Sequence, residues 1–271
     1  MAHAKLNGFT LIELSIVLVI IGLIIGGVLT GRDMIHAAQV RKTITQKEKF
    51  TAAANAFHNK YNCLPGDCVN PTNLGFSGGY GTGEEVFTYD GNIQYWFFEQ
   101  LNEAGLIVEE MPQIAYLLNY LRLIGDSTPA CPICNRAQAP GFNPSFPIGG
   151  WMVLDLGAIT SLNCHDPRLS AYPATLPTFR AFDITRYQGY AYQGTIASAD
   201  GFAIDAKVDD GNAFTGSVIA VSYNYVSDPS CSDDTMALNT PYCGVNADGS
   251  YDVNASDPSG YCFDMLMNAG F

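Results

Sequence analysis

The strongest pattern in the chain is an apolar run from Phe9 to Thr30 that holds a single charged side chain, Glu13. A helix of about 20 apolar residues is long enough to cross a bilayer, and this run has 22 residues. An ionised side chain near the bilayer centre costs roughly 2.5–3.5 kcal/mol. The pattern therefore predicts a membrane-spanning helix in which the carboxylate needs a separate explanation.

A different helical pattern fills residues 32–61, which contain no proline. Apolar residues recur there at the spacing of one helix face, and polar residues occupy the opposite face. The apolar stripe consists of Val40, Ile44, Phe50, Ala54, Phe57 and Tyr61, and the opposite face carries Lys42, Lys49 and Asn59. An amphipathic helix is predicted, and the Pro65-Gly66 turn ends it.

Shorter elements alternate after this turn, and together they predict an α+β domain. The predicted helices cover residues 92–106, 114–124 and 198–210, and the predicted strands cover 151–156, 187–196 and 217–226. Loops are predicted over 69–91, over 125–149 and from residue 227 onward, where Gly, Pro, Asn and Asp are frequent. In the helix over 198–210, Ser198 is the expected N-cap and Gly211 the expected stop. The side chains expected to face inward there are Phe202, Ala203 and Ala206.

Composition narrows the class of protein. The 271 residues carry a formal net charge of −13, which argues against a general nucleic-acid binder because such proteins present a basic face. An even number of cysteines, all beyond the apolar run, favours disulfides and an oxidising compartment, although buried free thiols are the alternative. The eight candidates are Cys63, Cys68, Cys131, Cys134, Cys164, Cys231, Cys243 and Cys262.

Simple targeting signals do not explain the N-terminal segment. A secretory signal peptide has an apolar stretch of about 7–15 residues followed by a small-residue cleavage site; here the run is longer and no such site follows. A plain anchor explains the length of the run but neither Glu13 nor the Gly8–Phe9 junction.

Residues 8–15 read Gly-Phe-Thr-Leu-Ile-Glu-Leu-Ser after a short leader. This segment resembles the N-terminus of type IV prepilins and type II secretion pseudopilins. The resemblance implies cleavage between Gly8 and Phe9, N-methylation of Phe9, and pairing of Glu13 with the N-terminal amine of a neighbouring subunit. Such pairing is physically reasonable, because a buried carboxylate and a buried ammonium each cost much alone and far less together.

Glycines inside the run add a second point of resemblance. Gly22 falls where the family usually carries a helix-loosening glycine, whereas Thr30 departs from the proline of many relatives. Gly26 and Gly27 are candidates for the same loosening, because glycine disfavours a helix by about 1 kcal/mol relative to alanine. Residues 60–67, Lys-Tyr-Asn-Cys-Leu-Pro-Gly-Asp, also resemble a segment of some pilin-like proteins.

The resemblance implies a pilin-like α+β architecture: one long N-terminal helix, transmembrane in its first half, packed on a head with a mostly antiparallel sheet. The implied parts are a removed leader (1–8), a transmembrane and filament-core helix (9–31), the amphipathic half of that helix (32–61) and a disulfide-bearing head (62–271).

The same resemblance implies a structural subunit and not an enzyme. It polymerises with itself or related subunits, and its partners are a prepilin peptidase, an inner-membrane platform, an assembly ATPase and, before assembly, membrane lipid. The head lies in the bacterial periplasm and later in a periplasmic or cell-surface filament. Basic residues after the run favour the reverse orientation by the positive-inside rule, but the cysteines and the motif outweigh that count.

Three alternatives remain open at this point. A pilus and a secretion pseudopilus are not distinguished. A minor or tip subunit could act as an adhesin or DNA-uptake receptor, although the acidic head disfavours DNA. The third alternative is a membrane-anchored redox or ligand-binding protein that never polymerises.

Other candidate chemistry is weaker. Cys131 and Cys134 form a C-x-x-C pair that is more typical of a local disulfide than of a redox centre or, with Cys164 and His165, of a zinc site. No cofactor, catalytic constellation or metal is predicted. Four acids form a weak calcium set, but turn and cap roles are the favoured interpretation because their spacing does not match an EF-hand loop. They are Asp209, Asp210, Asp248 and Asp252.

Overall fold

A computed structural model describes most of the chain. The described residues are 10–79, 81–87, 91–109, 129, 131–134, 150–155, 180–188, 191–193, 196–221, 244–246, 248–253 and 264–271. The chain divides into two compact units, Met1–Gln39 and Val40–Phe271.

The first unit is the N-terminal part of helix α1, which runs from Leu11 to Tyr61. Every Leu, Ile and Val between Leu11 and Leu29 is exposed, from 46% at Ile21 to 89% at Leu11. This helix is long and apolar enough to cross a membrane. Its own apolar side chains point to all sides of the helix axis, so packing one face of the helix against the rest of the chain would leave the other faces exposed.

The second unit contains the core, and the C-terminal part of α1 contributes one side of it. Phe50 is fully buried, and its ring lies 5.1 Å from that of Phe98, 5.7 Å from Trp151 and 5.8 Å from Phe182. The Trp151 indole donates a buried hydrogen bond of 2.9 Å to the Gln46 side chain. The predicted stripe is confirmed here, because its large members turn inward and the basic face stays exposed.

A small antiparallel sheet forms the other side of the core. Its strands are β1 (Gly150–Asp155), β2 (Arg180–Gln188), β3 (Ala191–Gln193), β4 (Val218–Val221) and β5 (Asp264–Asn268). The order is β1-β2-β5-β4, and β3 pairs with the far end of β2. The register places Val153, Phe182, Met267 and Val218 in one row, and all four are buried. The predicted α+β class is therefore confirmed.

Two further α-helices are described, α2 (Gly91–Glu103) and α3 (Ser198–Val208), with a 3₁₀ helix at Pro71–Leu74. Helix α2 agrees with the prediction over 92–106, and it buries Phe97, Phe98 and Leu101. Gly105 follows it with φ 71°, a left-handed conformation that glycine adopts without strain.

Two strand predictions are wrong. The strand expected over 187–196 is not continuous; β2 begins earlier, at Arg180, and the short β3 folds back on it. The region from residue 227 is not loop throughout, because β5 lies between β2 and β4. Its sequence, Asp-Met-Leu-Met-Asn, has no β-branched residue, and neighbouring strands supply the packing that stabilises it.

Ala203 of α3 packs against the core as predicted, but other details predicted for this helix are wrong. Its N-cap is Ala197, and the Ser198 hydroxyl donates a 2.6 Å hydrogen bond to the Gly244 carbonyl oxygen. Phe202 is 43% exposed and Ala206 is exposed as well. The buried side chains include Asp200 and Asp205, because hydrogen bonds in the head compensate for polar burial.

Several predictions lie outside the described residues. They are the helix over 114–124, most of the loop over 125–149, the end of the strand over 217–226, and Cys164, His165, Cys231, Cys243 and Cys262.

Candidate functional site

The start of α1 is organised by two side chains. Glu13 Oε2 accepts hydrogen bonds from the Thr10 backbone N–H and hydroxyl, each 2.8 Å long. In return, the Glu13 N–H donates to Thr10 Oγ1 over 3.3 Å. This reciprocal pattern is a capping box, which satisfies amide donors that a helix start leaves without partners.

The two carboxylate oxygens of Glu13 therefore differ in their hydrogen bonding. Oε2 accepts both bonds from Thr10, whereas within the described residues no hydrogen bond reaches Oε1. The side chains that follow Glu13 on the helix, Leu14 and Val17 among them, are exposed and apolar. Among the described residues, Oε1 is thus the carboxylate oxygen without a hydrogen-bond donor, and it lies beside exposed apolar side chains.

The glycines of the apolar run lie inside a continuous helix. Gly22, Gly26 and Gly27 have open space where a Cβ would stand, and the Thr30 hydroxyl donates to the Gly26 carbonyl oxygen over 3.1 Å. Their loosening role stays a prediction. Gly8 and Phe9, the predicted cleavage residues, lie outside the described part of the chain.

Residues 4–29 match the family model of the prokaryotic N-terminal methylation motif. The chain carries a prepilin-type N-terminus. This motif is the hallmark of the type IV prepilin and pseudopilin family, and the matched residues include Gly8, Phe9 and Glu13. Comparison with curated proteins and with solved structures finds no match, so the family resemblance rests on the N-terminal segment.

Beyond the prepilin-type segment, the turn that ends α1 is held from three sides. Cys63 and Cys68 form a disulfide across it. The Gly66 N–H donates a buried 2.7 Å hydrogen bond to the Gln100 side chain. The buried Asp67 carboxylate accepts backbone N–H donors from Thr82, Gly83 and Glu85 over 2.6–3.2 Å. These contacts fix the loop at 81–87 against the end of the helix.

The C-x-x-C pair is a buried disulfide. Cys131 and Cys134 are bonded to each other and neither side chain is exposed. Thiol–disulfide exchange requires that an attacking thiolate reach a sulfur. A partner protein therefore has no access to this pair in the folded head, which disfavours the redox alternative.

Three carboxylates meet where α3 ends. Asp205, Asp209 and Asp210 have ligand oxygens within 4.8 Å of one another. The two exposed acids already accept hydrogen bonds from their own turn: Asp209 from the Ser217 N–H, and Asp210 from the Thr215 hydroxyl at 2.6 Å. The Thr215 hydroxyl is the main cause that lowers the pKa of Asp210.

Two weak calcium candidates lie on the neighbouring segment 248–253. The Asn212 side-chain amide donates to the Asp248 carbonyl oxygen over 3.3 Å, which brings Asp248 towards the turn. Its carboxylate accepts from the Ser250 hydroxyl over 2.6 Å, and this bond lowers its pKa. Asp252 uses its backbone N–H to pair with the Gly244 carbonyl oxygen. The turn and cap roles favoured for these acids stay a prediction, and so does the weaker calcium alternative.

Asp205 differs from these acids because it is fully buried. Its Oδ2 accepts from the Tyr251 hydroxyl over 2.9 Å and its Oδ1 from the Gly211 N–H over 3.2 Å. Burial raises the pKa of Asp205 from 3.8 to about 6, and the charges of Asp210 and Asp209 add to that rise, while both hydrogen bonds oppose it. This carboxyl ties α3 to two loops.

Sequence reasoning missed Thr10, Asp205 and Tyr251. The Thr-x-x-Glu spacing before an apolar run is a readable capping-box pattern, so Thr10 could have been found. No local pattern marks Asp205 as buried, because its partners come from distant positions in the chain.

Proposed function

We propose that this chain is a structural, non-catalytic subunit of a type IV pilus or type II secretion pseudopilus, polymerised through its N-terminal helix. The observation that carries the proposal is a methylation motif on a helix whose apolar side chains are exposed on every side from Leu11 to Leu29. Such a surface is stable only in lipid or against other apolar helices.

We further propose the following division of the chain. Residues 1–8 are removed by a prepilin peptidase, and residues 9–31 lie first in the inner membrane and then in the filament core. Residues 32–61 continue the helix into the head, which comprises 62–271. The disulfides Cys63–Cys68 and Cys131–Cys134 support an oxidising location for the head, namely the periplasm and then the filament surface.

Glu13 is the proposed assembly contact. Within the described residues its Oε1 accepts no hydrogen bond, and an ionised group in hydrocarbon is costly without a partner. The N-terminal amine that cleavage creates on Phe9 of a neighbouring copy is a suitable donor, because opposite charges in a low-dielectric environment compensate each other's desolvation.

N-terminal sequencing and intact-mass measurement of the protein in sheared surface material test the proposal. We expect a chain that begins at Phe9 and carries the mass of one added methyl group. A chain that retains Met1 and stays in the membrane fraction as a monomer would falsify it.

The substitution Glu13→Ala tests the assembly contact separately. Trimming should be normal because the cleavage junction is unchanged, whereas filament yield should fall by about tenfold or more, since a lost charge pair leaves the amine uncompensated. Filament recovered by sedimentation is the measurement. Glu48→Ala, which removes an exposed acid from the same helix, is the matched control, and equal yields from both variants would contradict the role.

A further inference from the structure

Charge is distributed very unevenly along this chain. Residues 32–61 contain six Lys and Arg against two Asp and Glu, whereas residues 62–271 contain six against twenty-three. The net charge of −13 therefore combines a basic helical segment with a strongly acidic head. Segments of opposite sign attract at a range of about 8–10 Å at ordinary salt concentrations.

The basic charge lies on the solvent face of α1. Arg41 and Lys42 are exposed, and the residues on the other side of this turn, Val40 and Thr43, are buried in the core. Their side chains therefore project away from their own head.

Other basic residues of this face already have partners. Lys49 pairs with Glu109 at 3.0 Å, and the Lys60 ammonium lies 4.8 Å from the centre of the Tyr61 ring. Over the described ranges, no ion pair engages Arg41 or Lys42.

The described part of the head offers exposed carboxylates in return. They are Glu84, Glu85, Glu103, Asp209, Asp210 and Asp248. Glu85 forms an ion pair with His58 at 3.5 Å, and no ion pair with a described residue engages the other five.

We propose that Arg41 and Lys42 of one copy dock on exposed carboxylates in the described part of the head of a second copy, from the set Glu84, Glu103, Asp209, Asp210 and Asp248. The inference rests on the proposed function, since it needs a polymer. The contact joins two different surfaces, so it is heterologous, and a heterologous contact that does not close extends into a filament. This contact gives adjacent heads a defined orientation. The packing of uniformly apolar helices alone would specify that orientation only weakly.

Anionic lipid is the competing partner for these two residues, and their position disfavours it. Basic clusters that bind lipid headgroups lie immediately beside the membrane span, because the surface potential fades within a Debye length. Arg41 and Lys42 follow Thr30 by eleven and twelve residues. Val40, which precedes them directly, is already buried in the compact unit of the head.

The test uses filaments of the full chain sheared from cells, and it compares wild type with the double variant Arg41→Glu, Lys42→Glu. Filaments are incubated in NaCl from about 0.1 to about 1 M, a range that shortens the Debye length from about 10 to about 3 Å. Released subunits are separated by sedimentation. Precursor in the membrane fraction and trimming at Gly8 are measured in the same cells.

Wild-type filaments should release more subunits as NaCl rises, and the double variant should yield about tenfold less filament at low salt with normal trimming and membrane content. The charge-retaining variant Arg41→Lys, Lys42→Arg should behave as wild type. Lys60→Glu, which changes a charge elsewhere on the same face, should lose much less filament.

Wild-type filaments that are insensitive to NaCl would overturn the docking proposal and leave the proposed function intact. A double variant that is depleted from the membrane before assembly would assign the two residues to lipid, and this too would overturn it. If wild type gives no trimmed, polymerised chain, the proposed function itself fails.

Discussion

The first and last parts of α1 place the same kinds of side chain in opposite environments. From Leu11 to Leu29 the large apolar residues are at least 46% exposed, whereas Phe50 and Phe57 have no exposed surface. The backbone is one helix in both parts. The difference comes from the pattern: a stripe can be buried by one partner face, whereas an apolar surface all round requires lipid or several other helices. One part of α1 completes its packing inside the chain, and the other depends on its surroundings.

The largest expected effect concerns the proposed transfer of the first part of α1 from lipid into a polymer. Gly8→Leu should leave the precursor untrimmed and abolish filaments, because a bulky side chain then occupies the predicted cleavage junction. Intact mass of the membrane-bound protein is the measurement. Ala2→Leu, a bulky change elsewhere in the leader, should be trimmed normally, and a trimmed Gly8→Leu chain would argue against this cleavage site.

A matched pair of substitutions to alanine compares the two parts of α1 directly. Phe50→Ala should destabilise the head by about 3–5 kcal/mol, since it removes a buried ring and leaves a cavity. Leu23→Ala, at a position 72% exposed, should leave head stability unchanged. The measurement is unfolding of the detergent-solubilised chain, monitored by tryptophan fluorescence, because the buried Trp151 ring packs on Phe50. Equal losses in the two variants would show that the two parts do not differ in this way.

A buried carboxyl group in the head gives a smaller, pH-dependent effect. The folded-state pKa of Asp205, about 6, is above its ordinary value of 3.8, so its contribution to stability is full below about pH 4 and is lost as the pH rises through 6. The wild-type head should therefore lose about 1.4 kcal/mol of stability between pH 5 and pH 7.5.

Asp205→Asn should remove most of that pH dependence, because the amide stays neutral and the Tyr251 hydroxyl can accept from it. Denaturant unfolding at both pH values measures the change. Asp248→Asn replaces an exposed carboxylate whose pKa is lowered, so it should leave the change in stability between pH 5 and pH 7.5 unaltered. A wild-type head with equal stability at pH 5 and pH 7.5 would disprove the assignment.

The smallest effect concerns the start of the exposed part. Thr10→Ala removes both side-chain bonds of the capping box and should destabilise the first turn of α1 by about 1 kcal/mol. Faster hydrogen exchange of the amides at residues 11–13 in detergent is the expected result. Thr30→Ala, which removes a hydroxyl bond inside the helix, should not change those amides.

Prediction from sequence succeeded where the signal is local and repeated. The stripe from Val40 to Phe57 and the helix at 92–106 follow from periodicity, which the burial of Phe50, Phe57 and Phe97 bears out. It failed for β5, because Met265 and Met267 have little strand preference and pair with residues about eighty positions away. It failed for the face of α3, because Asp205 is buried through Tyr251, a partner that no local pattern reveals.

The N-terminal motif, the membrane-length helix and the amphipathic stripe were determined by sequence alone, since each depends on residues within a few turns of one helix. The place of β5 in the sheet, the burial of Asp205 and the compensation of Glu13 Oε2 by Thr10 were decided by structure. The first two depend on contacts between distant segments, whose free energy exceeds the local preference. The third depends on a side-chain rotamer that the Thr-x-x-Glu spacing permits and only the folded helix start fixes.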